Sequence, residues 1–167
     1  MGGEKGQGAG GEGEEKGQSI NKSGPKREIM DNTFEIRFVD SWPDQEIVDL
    51  YKVGGWWKES YDKVGIGPLI GGSFLFAVAV DITSGKAVGM GRCISDGVSD
   101  AYIQDVVVKN SYRGRGIGSA IIEKLISGMK RRGLSWIGLI AEKGSQGFYG
   151  RFGFMDFEGK PMVMEVK

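Results

Sequence analysis

Ile117, Ile121, Leu125 and Met129 recur every fourth residue, with Ile122 and Ile126 beside them, so one stripe of a helix has to be buried. Glu123, Lys124, Lys130 and Arg131 take the other face, and Gly133 terminates the run. What comes before this helix narrows the fold further. Val106, Val107 and Val108 read as a buried strand, and Arg113-Gly114-Arg115-Gly116-Ile117-Gly118-Ser119 carries the chain from strand into helix. A strand, a glycine-rich loop and an amphipathic helix in that order bring main-chain N–H groups together at the positive end of a helix dipole. That is a site suited to a phosphate or diphosphate. Arg113 and Arg115 add positive charge beside it.

The rest of the chain supplies a sheet for this helix to cover. Residues 34–39 alternate apolar and polar as a half-buried strand does. Asp40-Ser41-Trp42-Pro43 then offers a helix start, and Ile47, Leu50 and Tyr51 follow at helical spacing toward an end near Gly54-Gly55. A short second helix is expected within residues 56–72. Residues 74–80 and 86–93 are β-prone and joined by the turn sequence Asp81-Ile82-Thr83-Ser84-Gly85, and residues 101–108 make a third strand. After the long helix, residues 134–141 read as a strand, 145–152 as a short helix and 162–166 as a last strand. The fold class is α+β, with a mostly antiparallel sheet and helices on its faces.

At 167 residues and 40% hydrophobic content, the chain accommodates one domain with a real core. We place that domain over residues 34–167. Nine of the first 24 residues are glycine, set among Glu and Lys, so residues 1–33 are expected to be a disordered tail.

Composition removes whole classes of function. Lys plus Arg equals Asp plus Glu at 22 each, which argues against a nucleic-acid or membrane partner held by a general basic field. Histidine is absent and Cys93 is the sole cysteine, which excludes Ser-His-Asp and Cys-His nucleophiles and every His-based or multi-cysteine zinc site. No metal is expected. Cys93 alternates within a strand and is read as a packing residue. With no intrachain disulfide and no charged-then-apolar leader, a cytoplasmic location is the expectation.

Two phosphate-binding alternatives fail on spacing. A nucleotide-hydrolase loop needs Gly-Lys-Ser/Thr, and Gly118-Ser119 has no lysine. A dinucleotide fingerprint would use Gly114, Gly116 and Gly118 with Glu142, which lies 24 residues after Gly118. Its glycines, however, run G-x-G-x-G, and the 25 residues after Glu142 are too few for the second half of a doubly wound domain.

Arg113-Gly114-Arg115-Gly116-Ile117-Gly118 resembles the R-x-x-G-x-G/A signature of GNAT acyltransferases, and residues 147–154, Gly-Phe-Tyr-Gly-Arg-Phe-Gly-Phe, resemble their later FY-x-x-x-GF segment. The likeness runs from about residue 74 to the end and is weaker over residues 34–73. Asp105-Val106-Val107-Val108, Leu139-Ile140-Ala141-Glu142 and Phe148-Tyr149 are similar to the plastid and bacterial branch associated with serotonin and other arylalkylamines. The resemblance implies central strands that splay apart, with helices on both faces. It also implies acetyl-CoA as co-substrate and N-acetyl transfer to a small amine, by a monomer or homodimer.

Carried onto this chain, the resemblance puts the pantetheine arm on Val106, Val107 and Val108. The diphosphate falls on the loop of Arg113, Gly114, Arg115, Gly116, Ile117, Gly118 and Ser119, and Ser145 and Tyr149 are further cofactor contacts. A backbone amide near Val107 is the candidate oxyanion donor. Tyr149 resembles the acid that protonates the departing thiolate, a transfer made feasible by a phenol pKa of about 10 against about 8.5 for a thiol. The base is open between Asp105 and Glu142. Strict alternation turns Asp105 to the face opposite Gln104, and a bulge would re-aim it. Trp56, Trp57 and Tyr61, with Glu59 and Asp62, are candidates for the acceptor side. Two other readings stay open: acetylation of protein or peptide amines, and a non-catalytic acyl-CoA-binding regulatory module.

Overall fold

The computed structural model describes residues 33–166, so the tail expected over residues 1–33 lies, apart from Thr33, outside the described residues. Five strands form one sheet in the order β1-β2-β3-β4-β5: β1 Phe34–Phe38, β2 Leu75–Asp81, β3 Ala87–Ser95, β4 Asp100–Val108 and β5 Trp136–Leu139. Neighbours are antiparallel except β4 and β5, which run parallel. Helices α1 Asp44–Val53 and α2 Ile66–Gly71 cover one face, α3 Ile117–Lys130 covers the other, and α4 Gln146–Gly150 follows β5. This is the mixed, mostly antiparallel sheet flanked on both faces that the sequence implied.

β2 is buried on both sides, and its alternation divides the core in two. Leu75, Ala77 and Ala79 face Ile117, Ile121, Ile122, Leu125 and Met129 of α3, whereas Phe76, Val78 and Val80 face Ile47, Leu50, Ile66 and Ile70. Small residues let α3 sit close to the sheet. A methyl added at Gly91 would lie 2.8 Å from Ile121, and one at Gly128 would lie 2.7 Å from Phe38. Glu46 ties the opposite face down, since its carboxylate accepts from the Ala87 amide at 2.8 Å and from Trp42 Nε1 at 2.9 Å. Cys93 is fully buried with its sulfur 3.2 Å from that of Met129, and burial pushes its thiol up to about 11. It packs, as its place in the strand predicted.

The antiparallel β3–β4 ladder skips a residue. Met90 pairs with Val107 and Arg92 with Gln104, so Gly91 alone opposes Asp105 and Val106. Asp105 sits at φ 55 there, a left-handed conformation that Asp tolerates better than most side chains. On the other side of β4, pairing with β5 runs from Asp100–Trp136 to Ile103–Leu139 and goes no further, although β4 continues to Val108. The two strands therefore part.

Two elements differ from expectation. β5 is shorter than residues 134–141, because only the Asp100–Ile103 end of β4 is beside it to ladder with. Residues 162–166 do not form a strand: Met162, Val163, Met164 and Val166 are 83–93% exposed. Among the described residues no main-chain hydrogen bond joins them to the sheet, although the outer edge of β5 is open, so β propensity alone does not dock the segment.

Leu125 is fully buried between α3 and the sheet. Leu125→Ala is expected to cost about 2–5 kcal/mol of unfolding free energy by leaving a cavity, as read by urea denaturation, and a loss under about 1 kcal/mol would contradict this packing.

Candidate functional site

Beyond the parting of β4 and β5, the chain turns through Asn110–Tyr112 and enters α3 by way of two glycines in the left-handed region, Gly114 at φ 77 and Gly116 at φ 79. Those two angles swing the loop so that α3 starts facing the gap. Among the described residues, no protein acceptor meets the N–H groups of Gly114, Gly116, Ile117, Gly118 or Ser119. Ala120 is the first amide of the helix with a main-chain partner, Gly116 O at 3.0 Å. Five donors at the positive end of a 14-residue helix are left for a ligand. Tyr112 holds the loop from behind by donating its hydroxyl to Asp81 Oδ2 at 3.0 Å, which links it to the end of β2.

These amides open on a cavity of about 700 Å³. Its floor is Val106, Val107 and Val108, and one end is the loop from Arg113 to Ser119. Ser145, Phe148, Tyr149 and Arg151 form one wall, and Val53, Gly54 and Trp56, from the end of α1 onward, form the other. A methyl at Gly118 would touch the Phe148 ring at 3.5 Å, so the loop and α4 meet directly. Arg151 is stacked over Phe148, 5.1 Å from the ring centre. Arg113 Nε donates to the Val108 carbonyl at 3.2 Å. Arg115 is not on the cavity lining: its guanidinium lies 5.3 Å over the Tyr112 ring and donates to Thr33 Oγ1 at 2.5 Å.

Tyr149 is half-buried between Phe148 and Phe154, with ring centres 5.0 and 6.0 Å away. Its hydroxyl has no protein partner among the described residues. Burial first, and then the negative charge of Glu142, raises its pKa above the ordinary phenol value, so the proton stays on at neutral pH. The ring also bounds a second hollow along the outer side of β5, where Tyr102, Trp136 and Phe157 cluster. Glu142 itself is exposed and off the lining of the cavity, and its main-chain carbonyl caps Ser145 through Oγ at 2.6 Å.

Asp105 is not on the cavity lining either. The bulge turns its carboxylate toward α1, where Oδ2 accepts from Tyr51 Oη at 2.6 Å and from Arg92 Nε at 2.5 Å. Arg92 also donates to Gln104 Oε1 at 2.8 Å. Burial and the bond to Asp105 push the Tyr51 phenol well above its usual range. Of the acceptor-side aromatics, Trp56 lines the cavity while Trp57 and Tyr61 pack on each other at 5.8 Å. Glu59 pairs with Lys52, and Asp62 caps the Val64 amide. Sequence reasoning missed Val53, Gly54, Phe148 and Arg151 as cavity residues and Tyr51 and Arg92 as partners of Asp105. Position after the end of α1 was the only available signal for the first two.

The sequence profile of the acetyltransferase (GNAT) family matches residues 33–154. A chloroplastic serotonin N-acetyltransferase from Oryza sativa subsp. japonica is 40% identical over 72 residues, which are 43% of this chain and 36% of that protein. The chain thus spans about a third of that relative. An uncharacterized N-acetyltransferase from Porphyra purpurea is 28% identical over 147 residues, covering 83% of this chain and 84% of the other. Among solved structures, a probable acetyltransferase from methicillin-resistant Staphylococcus aureus superposes with a TM-score of 0.66 at 23% identity, over 80% of this chain and 98% of that one, which speaks to the fold.

The phenols of Tyr51 and Tyr149 stay protonated in the folded protein at pH values where unfolded tyrosines ionise, so their contribution is complete below about pH 10 and fades as pH rises further. Tyr51→Phe is expected to lose less unfolding free energy than the parent when urea denaturation is repeated at about pH 9 and about pH 11. Equal losses would mean that the fold does not hold that proton.

Proposed function

This chain belongs to the acetyltransferase (GNAT) family, which uses acetyl-CoA, and we propose that within it the protein acetylates the primary amine of a small molecule by direct attack on the thioester. The observation that carries this reading is that, among the described residues, the amides of Gly114, Gly116, Ile117, Gly118 and Ser119 meet no protein acceptor and open onto the cavity floored by the part of β4 that continues past the end of its pairing with β5. In this reading those amides hold the diphosphate, and Arg113 and Arg151 neutralise its charge at the rim. The pantetheine arm lies along Val106, Val107 and Val108, taking main-chain hydrogen bonds on the side of β4 that β5 has left.

The amine nitrogen attacks the acetyl carbonyl carbon, and a main-chain amide of β4 next to Val107, on the side facing away from β3, receives the developing oxyanion. The C–S bond then breaks. Tyr149, which enters the step protonated, donates its O–H proton to the departing sulfur, and the proton that the new amide nitrogen sheds passes through solvent to restore the phenol. Of the two carboxylates, Glu142 is the one whose charge reaches Tyr149, and we assign it the proton lost by the ammonium, taken through water. Asp105 is already committed to Arg92 and Tyr51. A small acceptor is supported by the rice serotonin N-acetyltransferase and by the aromatic rings of Trp56 and Tyr149 on the cavity.

Release of free thiol from acetyl-CoA should rise when arylalkylamines or aliphatic amines are added. Acetylation confined to lysine peptides would overturn the small-molecule reading, and acetyl-CoA binding without turnover of any amine would overturn catalysis. Gly116→Glu is expected to weaken acetyl-CoA binding at least about tenfold in calorimetry, because it combines a strained left-handed side chain with negative charge at the diphosphate. Unchanged affinity would remove the loop from the site. Tyr149→Phe is expected to lower kcat by about 10²-fold with acetyl-CoA affinity nearly constant. A variant as active as the parent would exclude Tyr149 from the chemistry.

A further inference from the structure

Asp105 has an environment unlike that of a free proton acceptor. It occupies the left-handed bulge position of β4 at φ 55, and both of its strong contacts converge on one oxygen, from Tyr51 at 2.6 Å and Arg92 at 2.5 Å. The side chains of Arg92 and Asp105 are only 19% and 22% exposed, and Tyr51 is buried. The three donors and acceptors come from three elements, α1, β3 and β4, so a single carboxylate fastens a helix to two strands.

We infer that Tyr51, Arg92 and Asp105 form a positioning unit that fixes the β4 bulge and sets the width of the slot for the acyl group. The unit reaches the cavity from both sides. Directly after Asp105 come Val106 and Val107, the floor of the slot, and their direction depends on the extra residue that the bulge inserts opposite Gly91. Two and three residues past Tyr51 come Val53 and Gly54 on the opposite wall, and the Tyr51 ring packs edge-on against Trp56 at 6.1 Å. Pulling on the shared oxygen therefore moves floor and wall toward each other, and losing it lets both relax. Arg92 adds a second hold on the same strand through Gln104. Aspartate suits the place twice over, as an anion between two donors and as a residue that tolerates the left-handed backbone.

The inference rests on the acetyl-transfer reading and is tested so that the two can fail separately. Asp105→Asn keeps the backbone tolerance and removes the charge, Arg92→Met and Tyr51→Phe remove one donor each, and Arg92→Lys restores a charge without the planar fork. Each of the three disruptive variants is expected to lower kcat at least about tenfold for a misplaced reacting group, with KM for the amine changed less and the acidic limb of the pH profile where the parent has it. The Arg92→Met/Tyr51→Phe double variant should lose less than the product of the single losses, since both act through one oxygen, and Arg92→Lys should recover part of the rate. Asp105→Asn erasing the acidic limb while Tyr51→Phe and Arg92→Met keep the parental kcat would overturn the unit and make Asp105 the base. A lowered melting temperature with unchanged kcat in all three would overturn it as well. Acetyl-CoA affinity of the same variants, expected to fall at least threefold, judges the slot without any acceptor. Failure of every small amine with the parent protein would count against the proposed acceptor alone, and variants that bind acetyl-CoA as tightly as the parent would count against the unit.

Discussion

The parting of β4 from β5 after the Ile103–Leu139 pair is the constraint on which the site depends. A strand in mid-sheet normally spends its amides and carbonyls on two neighbours, and β4 has only β3 for its second half. The bulge at Asp105 falls two residues past Ile103, the last residue of β4 that pairs with β5. Polar main chain is thereby left facing a cavity of about 700 Å³ rather than another strand. The left-handed turns at Gly114 and Gly116 then start α3 at the end of the same gap, so the second half of β4 and the start of α3 line one cavity.

This arrangement explains how a chain with no net charge and no histidine still offers chemistry. Positive potential is supplied locally, by N–H groups and a helix dipole with Arg113 and Arg151 at the rim, and needs no basic surface. In the proposed reaction the proton donor is the Tyr149 phenol, whose proton is kept on by burial and by the charge of Glu142. Its hydroxyl has no competing protein partner among the described residues, which leaves it available to a substrate sulfur.

Much of the scaffold was legible because its signals are local. The fourfold spacing from Ile117 to Met129 specified α3, the turn at residues 81–85 specified the β2–β3 hairpin, and the glycines specified where α3 begins. The limits of legibility were equally physical. Alternation is a rule for unbroken strands, so it gave no position for the extra residue at Asp105, and the open question of a bulge was answered only by the register. Tyr51 lies 54 residues from the carboxylate it binds and reads in sequence as one more apolar position of α1. Phe148 and Arg151 belong to a segment from which the resemblance assigned roles only to Ser145 and Tyr149, although their stacked pair forms part of the cavity wall. Residues 162–166 have strand propensity but, among the described residues, no main-chain bond to the open outer edge of β5, and propensity alone does not reveal whether a segment docks there.

In the proposed reading, main-chain amides at the start of α3 grip a diphosphate. Amide NMR spectra of the protein titrated separately with coenzyme A and with pantetheine, which shares the thiol arm but has no diphosphate, test it most directly. The amide signals of Gly114, Gly116, Gly118 and Ser119 should shift strongly with coenzyme A and stay near their free positions with pantetheine, while those of Val106 to Val108 respond to both. If the four loop amides stay unmoved as coenzyme A saturates the protein, the diphosphate lies elsewhere and the start of α3 is not its site.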